Sequence, residues 1–357
     1  MPSKLTRRQM LKLIAAGAAT ATLAPVLHAN ASYFPPEGAE GERDLDTWAW
    51  MGRAIYPVTF YEQPSIKATR LARRLGDQAF FILGEVHAPF SPHNELWYET
   101  YLGYVHSAWV LPIRVYPPQP FRQAEGWGFW GQVGQVYTTA YAKPELQSKQ
   151  VFRLYAGTVY HVMESFQDER GTGWYKIFDD FPPRDPVHEW VLARDVRRIP
   201  RAEMAPIHPF VGDKRIEISI KEQLLTCYEG DQAVFSTRTA SGIEADGTGT
   251  PRGEMAVLLK QPSRHMSNHP YPDGPPVLGA LYDLPGIPWN TFFDMEGTAV
   301  HGTYWHNDYG LQRSHGCLNV SYEAARWVYR WVHPVGGYQD YLIQSDNGKV
   351  GTPIIIA

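Results

Sequence analysis

The tetrapeptide Tyr61-Glu62-Gln63-Pro64 returns eighty residues later as Tyr141-Ala142-Lys143-Pro144, and each copy sits among short runs of Val, Tyr, Phe and Trp separated by turns. Leu96-Trp97-Tyr98-Glu99 is matched by Gly173-Trp174-Tyr175-Lys176, and His106-Ser107-Ala108-Trp109-Val110 by His188-Glu189-Trp190-Val191. Phe80-Phe81-Ile82-Leu83 and Thr158-Val159-Tyr160-His161-Val162 are typical of these runs. Aromatic and β-branched residues fit a pleated, half-buried surface, so the pattern predicts two small β-barrels of about five short strands each. Two copies of a unit this long form a tandem array rather than a solenoid. The first unit covers 48–117 and the second 132–202, with a Pro-, Gly- and aromatic-rich linker over 118–131.

A third domain is expected over 212–345. Arg215-Ile216-Glu217-Ile218-Ser219-Ile220 alternates as a strand with one buried face does. Gln223 to Tyr228 and Ala233 to Thr239 flank the turn Glu229-Gly230-Asp231 as a hairpin. A further strand is expected over Glu254 to Lys260, and the last near Tyr341-Leu342-Ile343. Ser321 to Val332 has helical spacing, with Ala324, Ala325, Val328 and Trp331 near one face, Ser321 as N-cap and Glu323 in the first turn. The fold class is mainly β with one clear helix.

The second unit resembles a bacterial SH3-like domain in its Ala156-Gly157-Thr158-Val159 turn, its Gly173-Trp174-Tyr175-Lys176 strand and its closing Glu189-Trp190-Val191 strand. The internal repeat assigns the first unit to the same class. The resemblance implies binding to cell wall; the alternative reading is a structural spacer or a lid, since fold does not fix function.

The N-terminus reads as an export signal. Lys4, Arg7, Arg8 and Lys12 precede a short apolar run from Leu13 to Leu23, and Ala29-Asn30-Ala31 has the A-x-A cleavage pattern. Thr6-Arg7-Arg8-Gln9-Met10-Leu11-Lys12 resembles the twin-arginine motif, with Met10 where Phe is usual. Residues 1–31 are therefore expected to be removed and 32–47 to form a linker. The apolar run is too short for a comfortable membrane span. Losing four positive charges and no acids would take the net charge from −4 to −8. That acidity argues against a nucleic-acid partner and describes an exported protein of the periplasm or cell wall, with no stable membrane span after processing.

The chemistry concentrates in Ser314-His315-Gly316-Cys317-Leu318-Asn319, preceded by His301-Gly302. A thiol attacks a carbonyl as its thiolate, so it needs a base and N–H donors for the oxyanion that forms. His301 and His315 are the candidate bases. A helix starting near Ser321 would add its dipole in favour of the thiolate. Gly302 and Gly316 allow close backbone approach or positive φ. The N–H groups around Gly316 and Cys317 are candidate oxyanion donors, and Asn319 suits holding a loop or a histidine. The other cysteine, Cys227, lies in an apolar strand and reads as a small buried hydrophobe, unpaired with Cys317.

At these residues the chain resembles the L,D-transpeptidase family, the YkuD-type catalytic domain. Its pattern is a His, a variable loop, then Ser/Thr-His-Gly-Cys, an apolar residue, and Asn or Arg. The likeness extends to Gly249-Thr250-Pro251-Arg252-Gly253-Glu254-Met255 and to Ile287-Pro288-Trp289. The resemblance implies Cys317 as nucleophile and His301 as general base, with His315, Ser314, Gly316, Gly302 and Asn319 supporting the loop and oxyanion site. Tyr304 and Trp305 are candidates to line the acceptor channel, the alternative being ordinary packing aromatics, and Arg313 is either a partner for a substrate carboxylate or a solvated charge. The implied reaction forms a Cys thioester with a peptidoglycan tetrapeptide stem, releases D-alanine and passes the acyl group to an amine, with no cofactor or metal. Water as acceptor would make it an L,D-carboxypeptidase. Competing readings are a zinc hydrolase ligated by His301, His315 and Cys317, which lacks H-E-x-x-H or paired C-x-x-C spacing, a cysteine peptidase of another fold, and a non-catalytic cell-wall binding protein.

Overall fold

The computed structural model describes residues 49–91, 93–180, 187–268, 281–345 and 351–357. The expected signal segment, 1–31, and the linker 32–47 lie outside the described residues. The fold is mainly β.

The first unit comprises β1 (Ala49–Ala54), β2 (Val58–Tyr61), β3 (Arg70–Arg74), β4 (Ala79–Ser91), β5 (Asn94–Thr100), β6 (Gly103–His106) and β7 (Val110–Val115). The second comprises β8 (Phe129–Val133), β9 (Tyr137–Tyr141), β10 (Gln150–Tyr155), β11 (Val159–Gln167), β12 (Gly173–Asp179), β13 (Val187–Leu192) and β14 (Val196–Arg198). Their strand orders, β3-β2-β6-β5-β4-β1-β7 and β10-β9-β13-β12-β11-β8-β14, are the same order moved on by seven strands. Each unit therefore has seven strands where the sequence pattern predicts about five. Even the turn hydrogen bonds recur: Glu62 N to Thr69 O and Ala142 N to Lys149 O are both 2.9 Å. Alternating apolar residues fill each interior, Phe60, Phe80 and Tyr98 in the first, Phe129, Tyr160 and Tyr175 in the second.

Two sequence assignments shift here. Trp97 and Trp174 are equivalent, but the residues opposite them are His106 and Leu192. His188 lies four positions too early to match His106; the two strands carry similar letters at different registers. The linker expected to run to 131 also ends sooner, because Phe129, Trp130 and Gly131 already pair in β8.

In the third unit, β15 (Lys214–Ser219), β16 (Leu224–Glu229), β17 (Gln232–Arg238) and β18 (Gly253–Ala256) belong to one five-stranded sheet, and β19 (Leu259–Ser267), β20 (Asp283–Phe292), β21 (Ala299–Gly302), β22 (Leu318–Val320) and β23 (Ile343–Gln344) form another. The strand expected over Glu254 to Lys260 is thus two strands in two sheets. Val257 N bonds Thr352 O in the first sheet and Leu258 N bonds Phe292 O in the second, so the chain crosses between layers at that point. The domain does not end at 345: β24 (Pro353–Ile356) lies between β15 and β18. Its alternating burial passes as an apolar tail until the flanking strands are seen.

A short helix, α1 (Arg201–Met204), precedes this unit, and α2 (Tyr322–Trp331) packs on its second sheet. Ser321 Oγ accepts from Ala324 N at 3.2 Å, Glu323 occupies the first turn, and Ala324, Ala325, Val328, Tyr329 and Trp331 are buried. The terminal carbonyls of α2 are met by two buried lysines. Lys260 Nζ donates to Tyr329 O at 2.8 Å and Lys214 Nζ to Trp331 O at 2.8 Å. Cations at a helix C-terminus satisfy orphan carbonyls and oppose the dipole.

Polar side chains tie the three units together. Asn307 Nδ2 reaches Tyr98 Oη and Val110 O in the first unit, at 3.2 and 3.1 Å. Trp130 Nε1 donates to Tyr338 O at 2.9 Å. His265 stands between Asp179 of the second unit and Asp283 of the third, 2.7 Å from each.

Candidate active site

Strands β21 and β22 run parallel, with Val300 opposite Leu318 and His301 opposite Asn319. One step back, Cys317 comes level with Ala299. Cys317 directly precedes β22, so it adjoins the strand that pairs with the one carrying His301. The loop 303–317 makes the crossover that parallel pairing requires.

His301 is 2% exposed, and its Nδ1 donates to Gly302 O at 3.0 Å. That bond fixes the tautomer and leaves the Nε2 lone pair as the basic site. Burial pushes the imidazole down to about 4, against the small upward pull of the Gly302 carbonyl. Cys317 is unpaired and keeps part of its surface open. Its thiol is pushed up to about 11, by burial first, with the Ala299 N–H pulling down and the Asp294 carboxylate pushing up. The thiol donates to Gly297 O at 3.9 Å. Burial thus favours the uncharged form of both groups, against the thiolate expected from a nearby helix dipole. Desolvation outweighs the dipole, and an uncharged imidazole offers no compensating charge.

The loop is held by its own hydroxyls. Ser314 Oγ donates to Cys317 O and accepts from Gly316 N, the latter at 3.2 Å. Gly316 N–H, expected as an oxyanion donor, is bonded to the Ser314 hydroxyl in this structure. Gly316 takes φ 126°, a left-handed conformation that favours glycine, whereas Gly302 is required by space: a Cβ there would lie 3.0 Å from Pro288 Cγ and 3.3 Å from Tyr322 Cα. Thr250 Oγ1 accepts from Gly242 N at 2.9 Å and donates to Gly316 O at 2.7 Å, so the Thr-Pro segment pins the catalytic loop from outside. Trp289, of the Pro-Trp segment, packs its ring against Tyr322 and Tyr329 of α2.

Asn319 does hold a histidine, but it is His306. Its side-chain amide lies 2.9 Å from His306 Nε2, while His306 Nδ1 accepts from Asp308 N at 3.3 Å. The atom facing Nε2 is Asn319 Nδ2, and Asn319 Oδ1 is buried with no hydrogen-bond partner among the described residues. The His315 ring lies 4.9 Å from Tyr282, and Trp305 lies 5.8 Å from His301. Two expected lining residues also have structural partners. Tyr304 is 5% exposed, donates its hydroxyl to Pro285 O at 3.0 Å, and stacks on Tyr155 of the second unit. Arg313 is paired with Asp308 within the loop. A residue next to Trp305 faces a neighbouring unit because the modules pack against this loop.

Sequence reasoning missed Tyr282, Asp294 and His306. Asp294 holds the turn under the thiol, its Oδ1 accepting from Thr298 N at 2.7 Å and Glu296 N at 3.0 Å; an Asp followed by Gly three residues on was the available turn signal. Among the described residues no group of three His, Cys, Asp or Glu is placed to hold a metal ion, and no helix is long and apolar enough to cross a membrane.

Residues 213–356 match the family model described as the L,D-transpeptidase catalytic domain (YkuD). No curated protein matches the chain. Among solved structures, the chain is similar to the catalytic domain of an L,D-transpeptidase from E. faecium, at 21% identity over 42% of this chain and 99% of that one, with a TM-score of 0.29. It is similar to an L,D-transpeptidase from Mycobacterium smegmatis at 21% identity over 56% and 90% of the two chains, with a TM-score of 0.31. A third, from Xylanimonas cellulosilytica, has 25% identity over 45% of this chain and 64% of that one, with a TM-score of 0.28.

Proposed function

We propose that this protein is a peptidoglycan L,D-transpeptidase in which Cys317 is the nucleophile and His301 the general base. The observation that carries the reading is that Cys317 directly precedes β22, which pairs with the strand carrying His301, and that the imidazole's Nδ1–H is bound to Gly302 O, leaving Nε2 to take a proton. The family-model match over the same residues supports it.

The thiol proton moves to His301 Nε2 as Cys317 Sγ attacks the carbonyl of the third residue of a tetrapeptide stem. The Cys317 N–H is the donor available to the developing oxyanion. Collapse breaks the amide bond, and His301 returns the proton to the departing amine of D-alanine. A second amine then attacks the thioester, His301 takes its proton, and the new amide forms as the proton goes back to sulfur. Because both partners rest uncharged, proton transfer accompanies attack rather than preceding it. Stem peptides place the work outside the cytoplasmic membrane, in accord with an export signal at residues 1–31, and the two β units serve as wall-facing SH3-like modules.

Mass spectrometry of the full chain incubated with disaccharide tetrapeptide tests the reading. The expected product is a thioester on Cys317 formed with loss of D-alanine, and none with Cys317→Ala. Absence of the adduct in the wild type, or its presence in the variant, rules the assignment out.

A further inference from the structure

The loop that joins β2 to β3, and β3 itself, carry four cations in eight residues: Lys67, Arg70, Arg73 and Arg74. The chain as a whole has a net charge of −4, so this concentration is local. Lys67, Arg70 and Arg73 are exposed and Arg74 is half-buried. Among the described residues none of the four is ion-paired: Asp77, in the turn after β3, is taken by Arg53 and Arg153 at 2.7 and 2.6 Å. β3 stands at the edge of the first unit's strand order and pairs with β2.

Apolar side chains stand among these cations. Ile66 is 46% exposed, Leu71 54%, Leu75 61% and Tyr101 61%. Exposure alternates from Leu71 onward: Leu71, Arg73 and Leu75 are open, while Ala72 and Arg74 are half-buried. Tyr101 belongs to the turn between β5 and β6, which the Thr100–Gly103 pair closes. A Cβ built on Gly103 would lie 3.0 Å from Leu71 Cδ1, so this turn adjoins Leu71 and extends the apolar edge. Charges on an edge strand guard against pairing with another chain, which accounts for the cations but not for apolar side chains left in water beside them. Leu and Ile interleaved with Lys and Arg match the interface of a bilayer with anionic headgroups: the cations meet phosphates, and the apolar side chains enter the boundary beneath them. A soluble polyanion would use the cations alone.

We propose that this edge of the first unit docks the protein on an anionic phospholipid surface, as a peripheral contact without a membrane span. The loop before β3 and β3 itself touch the headgroups. Docking there keeps the catalytic unit on the membrane side of the wall and uses no residue of the candidate active site. It is read by binding, so its outcome is independent of the acyl-transfer reading.

Co-sedimentation with vesicles tests this, using the chain from Ser32, which keeps every described residue and omits the basic, apolar segment 1–31 that would itself bind lipid. The wild type is expected to bind vesicles of phosphatidylglycerol mixed with phosphatidylcholine, to leave vesicles of phosphatidylcholine alone unbound, and to be released by high salt. The double variant Arg70→Gln, Arg73→Gln is expected to bind about thirtyfold more weakly, as loss of two cations at an anionic surface implies. Ile66→Ser, Leu71→Ser is expected to bind about tenfold more weakly through lost apolar burial. Arg194→Gln, Lys221→Gln removes the same charge from exposed positions elsewhere and is expected to match the wild type. No binding of the wild type to the anionic vesicles, or equal weakening by the two charge-removing variants, overturns the proposal. Unchanged vesicle binding by Ile66→Ser, Leu71→Ser overturns it too, and tight binding of soluble poly(glycerol phosphate) by that variant then assigns the edge to a polyanion.

Discussion

With its thiol near 11 and its imidazole near 4, the Cys317–His301 pair differs from a pre-ionised thiolate–imidazolium in a way that alkylation can read. The rate of carboxamidomethylation of Cys317 by iodoacetamide is expected to climb about tenfold per pH unit from neutrality towards pH 11, because only the thiolate reacts. His301→Asn is expected to leave that profile in place, since a neutral imidazole lends the thiol no charge, yet to slow thioester formation by about 10²-fold or more. A profile that levels off near pH 6, or one that His301→Asn displaces, would show an ion pair instead. The nucleophile and its neighbours were legible as letters because the chemistry demands a Cys, a His and small residues close together in the chain. Tyr282 and Asp294 were not, because they flank β20, just before and just after it, and reach the site only after the sheets form. The same holds for the bond from Gly316 N–H to the Ser314 hydroxyl, which depends on where that hydroxyl turns.

Among the elements, β20 joins catalysis to the second unit. Gly286 in this strand takes φ 63°, and a Cβ there would overlap the ring of Tyr160, which is buried in the second unit. Gly286→Ala is therefore expected to cost about 3 kcal/mol through backbone strain and overpacking together, measured as a lower denaturation midpoint; an unchanged midpoint would mean that the interface yields freely. Helix α2 was readable because capping and apolar spacing are local rules. Strands β18 and β19 read as one because nothing local marks a change of sheet, and β24 was overlooked because a four-residue strand acquires its identity from the two neighbours that flank it.

Over the whole molecule, the interface between the second and third units carries a proton-sensitive cluster. Burial lowers the affinity of His265 for a proton, but its hydrogen bonds and charge interactions with Asp179 and Asp283 outweigh this and hold it above its usual value. Glu189, both of whose oxygens are buried without a partner, is raised to about 7 by burial and by Asp179. Both groups hold protons more tightly when folded, so their stabilisation is full at acid pH and fades as pH rises, for Glu189 from about 4.5 to about 7 and for His265 above 6.5. Between pH 5 and pH 8.5 the wild type is expected to lose on the order of 3 kcal/mol of stability relative to a His265→Gln, Glu189→Gln double variant, read as a difference in the slopes of Tm against pH. Equal slopes for the two proteins would exclude the cluster as the cause. The tandem β units, the one long helix and the Ser-His-Gly-Cys motif were determined by the sequence alone, since repetition, periodicity and reactive spacing act over short stretches of chain. Only the tertiary structure decided that the β units pack onto the loop before Cys317, that Tyr304 stacks on Tyr155 and Arg313 pairs with Asp308, and that burial holds the thiol towards its protonated form. Burial and charge at any one atom are summed over residues that the chain brings together from more than a hundred positions away.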